Sequence, residues 1–99
     1  MEVNSLRNTP QYEEYRENIL REAQEAQMLW ENQLLRKILS EMKDRIYEQW
    51  RSSKPEEAEL RELCYMKLRI LDEIANAIFE KIAAAKLLEQ SDQAVKAVT

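Results

Sequence analysis

The sequence predicts an all-α protein, a long antiparallel helical hairpin that self-associates into a bundle. Three observations lead to this fold class. Glycine is absent, the two prolines stand at Pro10 and Pro55, and the stretches between and after them are amphipathic with helical spacing. Apolar residues make up 44% and charged residues 34% of the chain, which is typical of a folded globular protein. No apolar run approaches the roughly 20 residues that a bilayer span requires, so we expect no membrane partner and a cytoplasmic location.

The first helix is predicted over residues 10–51, after an N-terminal arm at residues 1–9. Thr9 is a typical N-cap residue, and Pro10 suits the first helical position, where its missing N–H leaves no hydrogen bond unmade. Glu13 and Glu14 follow in the first turn, where carboxylates complement the positive end of the helix dipole.

The apolar spacing in this segment leaves two interpretations open. From Tyr12 to Trp50, ten steps between apolar residues cover 38 positions, a mean of 3.8 that exceeds the 3.6 of a straight helix. The helix either winds right-handedly around its partners or bends near residues 31–33, which would give a three-helix variant. Because neither Gly nor Pro marks a break, a continuous or mildly bent helix is favoured.

A turn at residues 52–54 is predicted to lead into a second helix over residues 54–90. Pro55 disfavours helical geometry at Lys54, and Ser53 and Glu56 have the spacing of a capping box. So short a turn places the two helices side by side and antiparallel. Ser91 is expected to end the helix and leave a C-terminal tail at residues 91–99.

The apolar arc of the second helix is wider than one partner helix can cover. Its main face holds apolar residues at helical spacing from Leu60 to Leu88, and further apolar side chains lie at the edge of that face or beyond it. Self-association into a dimer or a higher homo-oligomer would cover the excess. The expected partners are therefore a second copy of the chain and, in addition, another protein of the same assembly.

Large side chains at or beyond the main stripes are predicted to form that interface. Trp30 continues the first stripe and suits the core or an oligomer contact, while Trp50 lies in the last turn and is expected to be partly exposed. The full predicted set is Tyr12, Tyr15, Ile19, Trp30, Trp50, Tyr65, Leu68 and Phe79.

Three polar or reactive residues have structural interpretations that we prefer to functional ones. Lys67, in the middle of an apolar face, is expected to pair with a glutamate of the opposing helix rather than to bind a ligand. Cys64 is expected to be buried and inert. Asn32 is expected to be exposed to solvent, the alternative being a buried amide that sets the helix register.

The missing residue types exclude whole classes of site. Without glycine there is no P-loop, dinucleotide fingerprint or EF-hand loop, and without histidine there is no ordinary zinc site or Ser-His hydrolase. The carboxylates near Glu13 and Glu57 are expected to be solvated charges at helix starts. We therefore assign no catalytic, cofactor-binding or metal-binding residue, and we predict a protein that is not an enzyme and has no cofactor.

The charge distribution leaves nucleic-acid binding as an alternative function. The net charge is −4, but residues 36–54 carry six basic residues, Arg36, Lys37, Lys43, Arg45, Arg51 and Lys54. Three acidic residues interleave with them, which gives this segment +3. Because nucleic-acid binders usually carry a basic surplus on one face, the overall balance makes nucleic acid an unlikely partner.

Two resemblances bear on function. Ser5–Tyr12 (SLRNTPQY), Trp30 and Glu59–Asp72 (ELRELCYMKLRILD) resemble small helical proteins encoded among the head and packaging genes of tailed bacteriophages. This resemblance implies a non-enzymatic viral assembly, structural or adaptor protein, found in the host cytoplasm or in the virion. Leu68–Ile74 (LRILDEI) is similar to the opening helix of all-helical chorismate mutases, which implies an alternative as a small enzyme. In that family, however, two more helices follow this pattern, and here about 20 residues remain.

Overall fold

The computed structural model describes residues 9–98, with side chains as far as Lys96, and this range consists of three α-helices and their short connections, with no strand. Helix α1 spans Pro10–Glu31, α2 spans Gln33–Ser52 and α3 spans Ala58–Val98. The all-α prediction is confirmed, in the three-helix variant. The predicted arm lies almost wholly outside the described residues. Within residues 9–98 no helix is both long enough and apolar enough to cross a bilayer.

The first helix begins where the sequence predicts. Thr9 accepts hydrogen bonds at both its oxygens: its Oγ1 from the Tyr12 N–H at 3.2 Å and its carbonyl from the Glu13 N–H at 3.1 Å. The side chain thereby satisfies an amide that has no partner inside the helix.

The favoured continuous first helix is wrong, because Asn32 separates α1 from α2. Asn32 has extended backbone geometry (φ −67°, ψ 114°), and its Oδ1 accepts the N–H of Leu35 at 2.9 Å. Its own N–H donates to the Leu29 carbonyl at 3.2 Å. Asparagine interrupts a helix without glycine or proline because its side chain competes for backbone groups and caps the following helix.

The turn between α2 and α3 lies further along the chain than predicted. Ser53 ends α2, since its N–H and its hydroxyl both donate to the Trp50 carbonyl, at 3.1 and 2.6 Å. Glu57, rather than Glu56, supplies the carboxylate that accepts the Lys54 N–H, at 2.8 Å. Because Ser53 is used as a C-cap, it cannot also start the next helix, and α3 begins at Ala58.

The C-terminal tail predicted at residues 91–99 is helical as far as Val98. No glycine or proline stands there to end the helix. Asp92 is also held in place, because Arg16 Nε and Nη2 both donate to its Oδ2, at 3.3 and 3.1 Å. That contact ties the last turns of α3 to α1.

The contacts divide the chain into two compact units. The first unit combines α1 up to Met28 with α3 from Phe79 onward, and its helices run antiparallel. Arg16 meets Asp92 and Glu22 meets Lys81, at 3.1 and 2.8 Å. Ala23 and Ala26 are its buried residues, and such small side chains let two helices approach closely.

The second unit, Leu29–Ile78, packs α2 against the first half of α3, again antiparallel. Its core consists of Ile46, Cys64 and Leu71. Three partly buried leucines pack against this core, Leu39, Leu60 and Leu68.

Candidate interaction surface

One side of the second unit carries a continuous set of exposed apolar side chains, which we call the open face. Their exposed fractions range from 38% at Met42 to 64% at Leu34. The open face consists of Leu34, Ile38 and Met42 on α2 and of Leu63, Met66, Ile70 and Ile74 on α3.

Helical spacing explains why these side chains share one side of the unit. Leu34, Ile38 and Met42 are four residues apart, and those on α3 are three or four apart, so each set forms a stripe. On α3, the buried Cys64 and Leu71 each follow an open-face residue by one position, about 100° further round the helix. The core and the open face are therefore neighbouring stripes, and one partner helix covers only the first.

A groove of about 430 Å³ runs between α2 and α3 on this side. Its lining is mainly apolar, with two cations and one amide: Met42, Arg45, Ile46, Gln49, Lys67, Ile70 and Leu71. Gln49 also holds the core, because its Oε1 accepts the Cys64 thiol at 3.8 Å. A mainly apolar groove with charges at its rim has the chemistry to receive an amphipathic helix.

Most of the remaining basic side chains of the second unit contact their own neighbours. Lys43 pairs with Asp72 across the two helices at 3.1 Å, and α2 also contains the pairs Lys37–Glu41 and Arg51–Glu48. Two further guanidinium groups lie over tryptophan rings, Arg36 over Trp30 at 5.5 Å and Arg61 over Trp50 at 4.7 Å. Residues 36–54 therefore do not present their basic charge as one free patch.

The resolved pKa shifts belong to surface pairs outside the groove. A hydrogen bond from Lys81, together with its charge, lowers the pKa of Glu22, and the same contact raises the pKa of Lys81. The pKa of Arg69 is raised by the hydroxyl of Tyr65, to which it donates at 3.4 Å. These shifts arise from contacts between exposed side chains.

The predicted interface residues lie outside the open face. Tyr15, Trp50, Tyr65 and Phe79 are exposed, at 60%, 45%, 58% and 43% respectively. Tyr12, Ile19, Trp30 and Leu68 are half-buried, and Leu68 packs against the core of the second unit. Their role in an interface stays a prediction.

Part of the open face belongs to the apolar arc of the second helix, which the sequence showed to be wider than one partner helix can cover. Ile70 and Ile74 belong to the main apolar face of the second helix, yet they are 54% and 44% exposed. The excess width of that face is the signal that could have located them.

The expectations for Cys64 and Lys67 have different outcomes. Cys64 is fully buried, as predicted. Lys67 is exposed at the groove rim and has no carboxylate partner among the residues that the structure describes. The predicted pairing fails because Lys67 lies on the groove side of α3, where the nearby α2 residues include Met42 and Gln49.

No set of three or more Asp, Glu or Cys side chains within residues 9–96 is arranged to hold a metal ion. Comparison with known proteins finds no matching family model, no matching curated protein and no matching solved structure.

Proposed function

We propose that this protein is a non-catalytic helical protein that self-associates and acts through protein–protein contacts, as an assembly, structural or adaptor component. The observation that carries this proposal is the open face. The second unit buries only Ile46, Cys64, Leu71 and Ile78 among its described residues, while the seven apolar side chains of the open face stay exposed.

The size of the open face suits association. Burying the exposed half of one Leu, Ile or Met side chain contributes about 1 kcal/mol. Burial of seven such side chains on each copy is therefore a substantial driving force for association.

The charge arrangement favours protein over nucleic acid as the partner. Phosphate binding requires several free cations on one surface. Here Lys43, Arg51 and Lys37 are paired with carboxylates, while Arg45 and Lys67 line the groove and α3 also exposes Glu73 beside Ile74. An apolar surface that carries both positive and negative charges is suited to binding another amphipathic helix.

The resemblance of Ser5–Tyr12 and Glu59–Asp72 to small proteins of tailed phages supports an assembly role within this proposal. In such a role the protein would bind a second copy of itself and one further protein of the phage particle. The open face and the aromatic side chains outside it would then serve different partners.

The solution mass tests this proposal, measured by light scattering coupled to size exclusion at low and high salt. We expect a dimer or larger species that survives salt, because apolar burial is only weakly screened. Ile74→Glu, which puts a charge on the open face, should reduce the mass to that of a monomer. Phe79→Glu is the matched control, since Phe79 is equally exposed, at 43% against 44%, but lies outside the open face.

A monomeric wild-type protein at all concentrations would overturn self-association. If Phe79→Glu dissociates the complex and Ile74→Glu does not, the contact surface is the predicted aromatic set and the open face is not used.

A further inference from the structure

We infer that the groove between α2 and α3 binds an acidic amphipathic helix of another protein, whose carboxylates lie between Arg45 and Lys67, the two groove cations. This inference rests on the proposed function and specifies the chemistry of the further protein partner that the proposal includes. It is carried by the residues around each cation, by the position of both cations in one groove and by the length of the open face.

The neighbours of Lys67 on its own helix are all apolar. A helical residue contacts the side chains three and four positions away on either side. For this lysine the four residues at those distances are Leu63, Cys64, Ile70 and Leu71. Helix α3 therefore offers no carboxylate at a contacting position. Lys67 lines the groove next to apolar side chains, and it has no carboxylate partner among the residues that the structure describes.

Arg45, on the α2 wall of the groove, has nearby carboxylates that are already engaged. Glu41 and Glu48 stand four residues before it and three residues after it. Glu41 pairs with Lys37 and Glu48 pairs with Arg51, at 3.8 and 2.9 Å. Arg45 donates one long hydrogen bond, from its Nε to the Glu41 carbonyl at 3.5 Å, and forms no ion pair within residues 9–96. The rest of its guanidinium group can donate to a carboxylate from outside the chain.

The two groove cations lie at nearly the same level on opposite walls. Lys43 meets Asp72 at 3.1 Å and Gln49 meets Cys64 at 3.8 Å, which shows which residues of the antiparallel helices lie side by side. In the same register the two groove cations are within one helical turn of each other. A helix lying in the groove would therefore have one cation on each side at one level.

The open face has the dimensions of one docked helix. Its α3 stripe, from Leu63 to Ile74, covers about 16 Å, and its α2 stripe, from Leu34 to Met42, covers about 12 Å. These lengths correspond to about two to three helical turns. An amphipathic helix in a groove is held by apolar side chains that recur every three or four residues, which matches two such stripes.

The charges distinguish an acidic helix from the other possible occupants. An uncharged apolar helix would cover the groove and leave both cations partly desolvated without a partner, which costs free energy. A second copy paired about a two-fold axis at the groove would set Arg45 against Arg45. A helix with carboxylates on both flanks of its apolar stripe supplies each groove cation with an opposite charge.

Fluorescence anisotropy with designed peptides tests the inference. Each peptide is a fluorescein-labelled helix of three heptads, with Leu at the a and d positions and with Ala or Gln elsewhere. The peptides differ only at the e and g positions of the central heptad, which carry Glu, Gln or Lys. We expect the wild-type protein to bind the Glu peptide about 10-fold more tightly than the Gln peptide, and the Lys peptide more weakly than either.

Substitutions in the groove test whether the two cations cause this preference. Arg45→Gln and Lys67→Gln should each lower the affinity for the Glu peptide about threefold and leave the affinity for the Gln peptide unchanged. The double variant should bind both peptides equally. Arg69→Gln is the matched control, because Arg69 is an exposed cation of α3 that does not line the groove. Unchanged affinity for the Gln peptide also verifies that each variant folds.

The results separate this inference from the proposed function. Failure to bind the Glu peptide, or equal affinities for the Glu and Gln peptides, would overturn the inference and leave a second copy as the better occupant of the groove. Loss of the preference in Arg69→Gln would overturn it too, since long-range charge would then be the cause. Self-association is measured on the protein without peptide. A wild-type monomer that prefers the Glu peptide overturns self-association alone, and a wild-type dimer without that preference overturns this inference alone.

Discussion

Truncation of Leu71 to alanine tests the assignment of the small core and of the open face beside it. Leu71 is 4% exposed and packs with Ile46 and Cys64, whereas its neighbour Ile70 is 54% exposed. Leucine-to-alanine changes in cores cost about 2–5 kcal/mol. We expect about 2–3 kcal/mol here, at the lower end, because the cavity would border an open groove into which the walls can relax.

Urea denaturation followed by tryptophan fluorescence is the assay. Both tryptophans of the chain, Trp30 and Trp50, belong to the second unit, so their emission reports its unfolding alone. With a urea dependence of about 1 kcal/mol per molar, the midpoint of Leu71→Ala should fall by about 2–3 M. Should that variant not fold at all, Leu71→Met, which conserves volume, should cost less than about 1.5 kcal/mol.

Ile70→Ala is the matched control from the adjacent position. At low protein concentration, where the monomer dominates, we expect it to cost less than about 1 kcal/mol, since half of its side chain is already in water. The cost should grow with concentration, because association buries Ile70 and couples to unfolding. Equal losses for Leu71→Ala and Ile70→Ala at low concentration would refute the assignment of core and open face.

Three further outcomes follow from local contacts. Asn32→Ala removes the acceptor of the Leu35 N–H and should destabilise the second unit by about 1 kcal/mol, while Asn32→Asp should retain most of the stability. Identical urea midpoints for the wild-type protein and the two variants would contradict the capping role. A side-chain NMR titration should find the pKa of Glu22 below its ordinary value, and Lys81→Met should return that pKa to the ordinary value. An ordinary Glu22 pKa in the wild-type protein would show that the ion pair does not form in solution. Because the folded-state pKa of Glu22 is lowered and that of Lys81 is raised, the pair's stabilisation should hold through neutral pH; it is lost as pH falls through the Glu22 pKa or rises through that of Lys81. Cys64 should react with an aromatic disulfide reagent only as fast as the second unit opens, and immediate labelling of the native protein would show that the thiol is not buried.

The sequence alone determined the features that depend on a few neighbouring residues. The helical class, the N-cap at Thr9 and a turn next to Pro55 follow from local hydrogen bonds and from backbone restrictions that the residues carry with them. The 3.8-residue spacing also pointed to residues 31–33 as the place where the first helix changes. Whether it bends or ends there depended on the Asn32 side chain, which caps α2 in competition with continued helix.

Only the tertiary structure decided where helix α3 ends and which part of its apolar arc is buried. The extension to Val98 involves Asp92 meeting Arg16 across 76 positions of sequence, a contact that no local pattern reveals. Leu71 and Ile70 are both apolar and adjacent on α3, yet α2 covers the first and leaves the second exposed. The apolar residues in the sequence show which side chains would be stabilised by burial. The position of α2 determines which of them are buried, and the others form the open face.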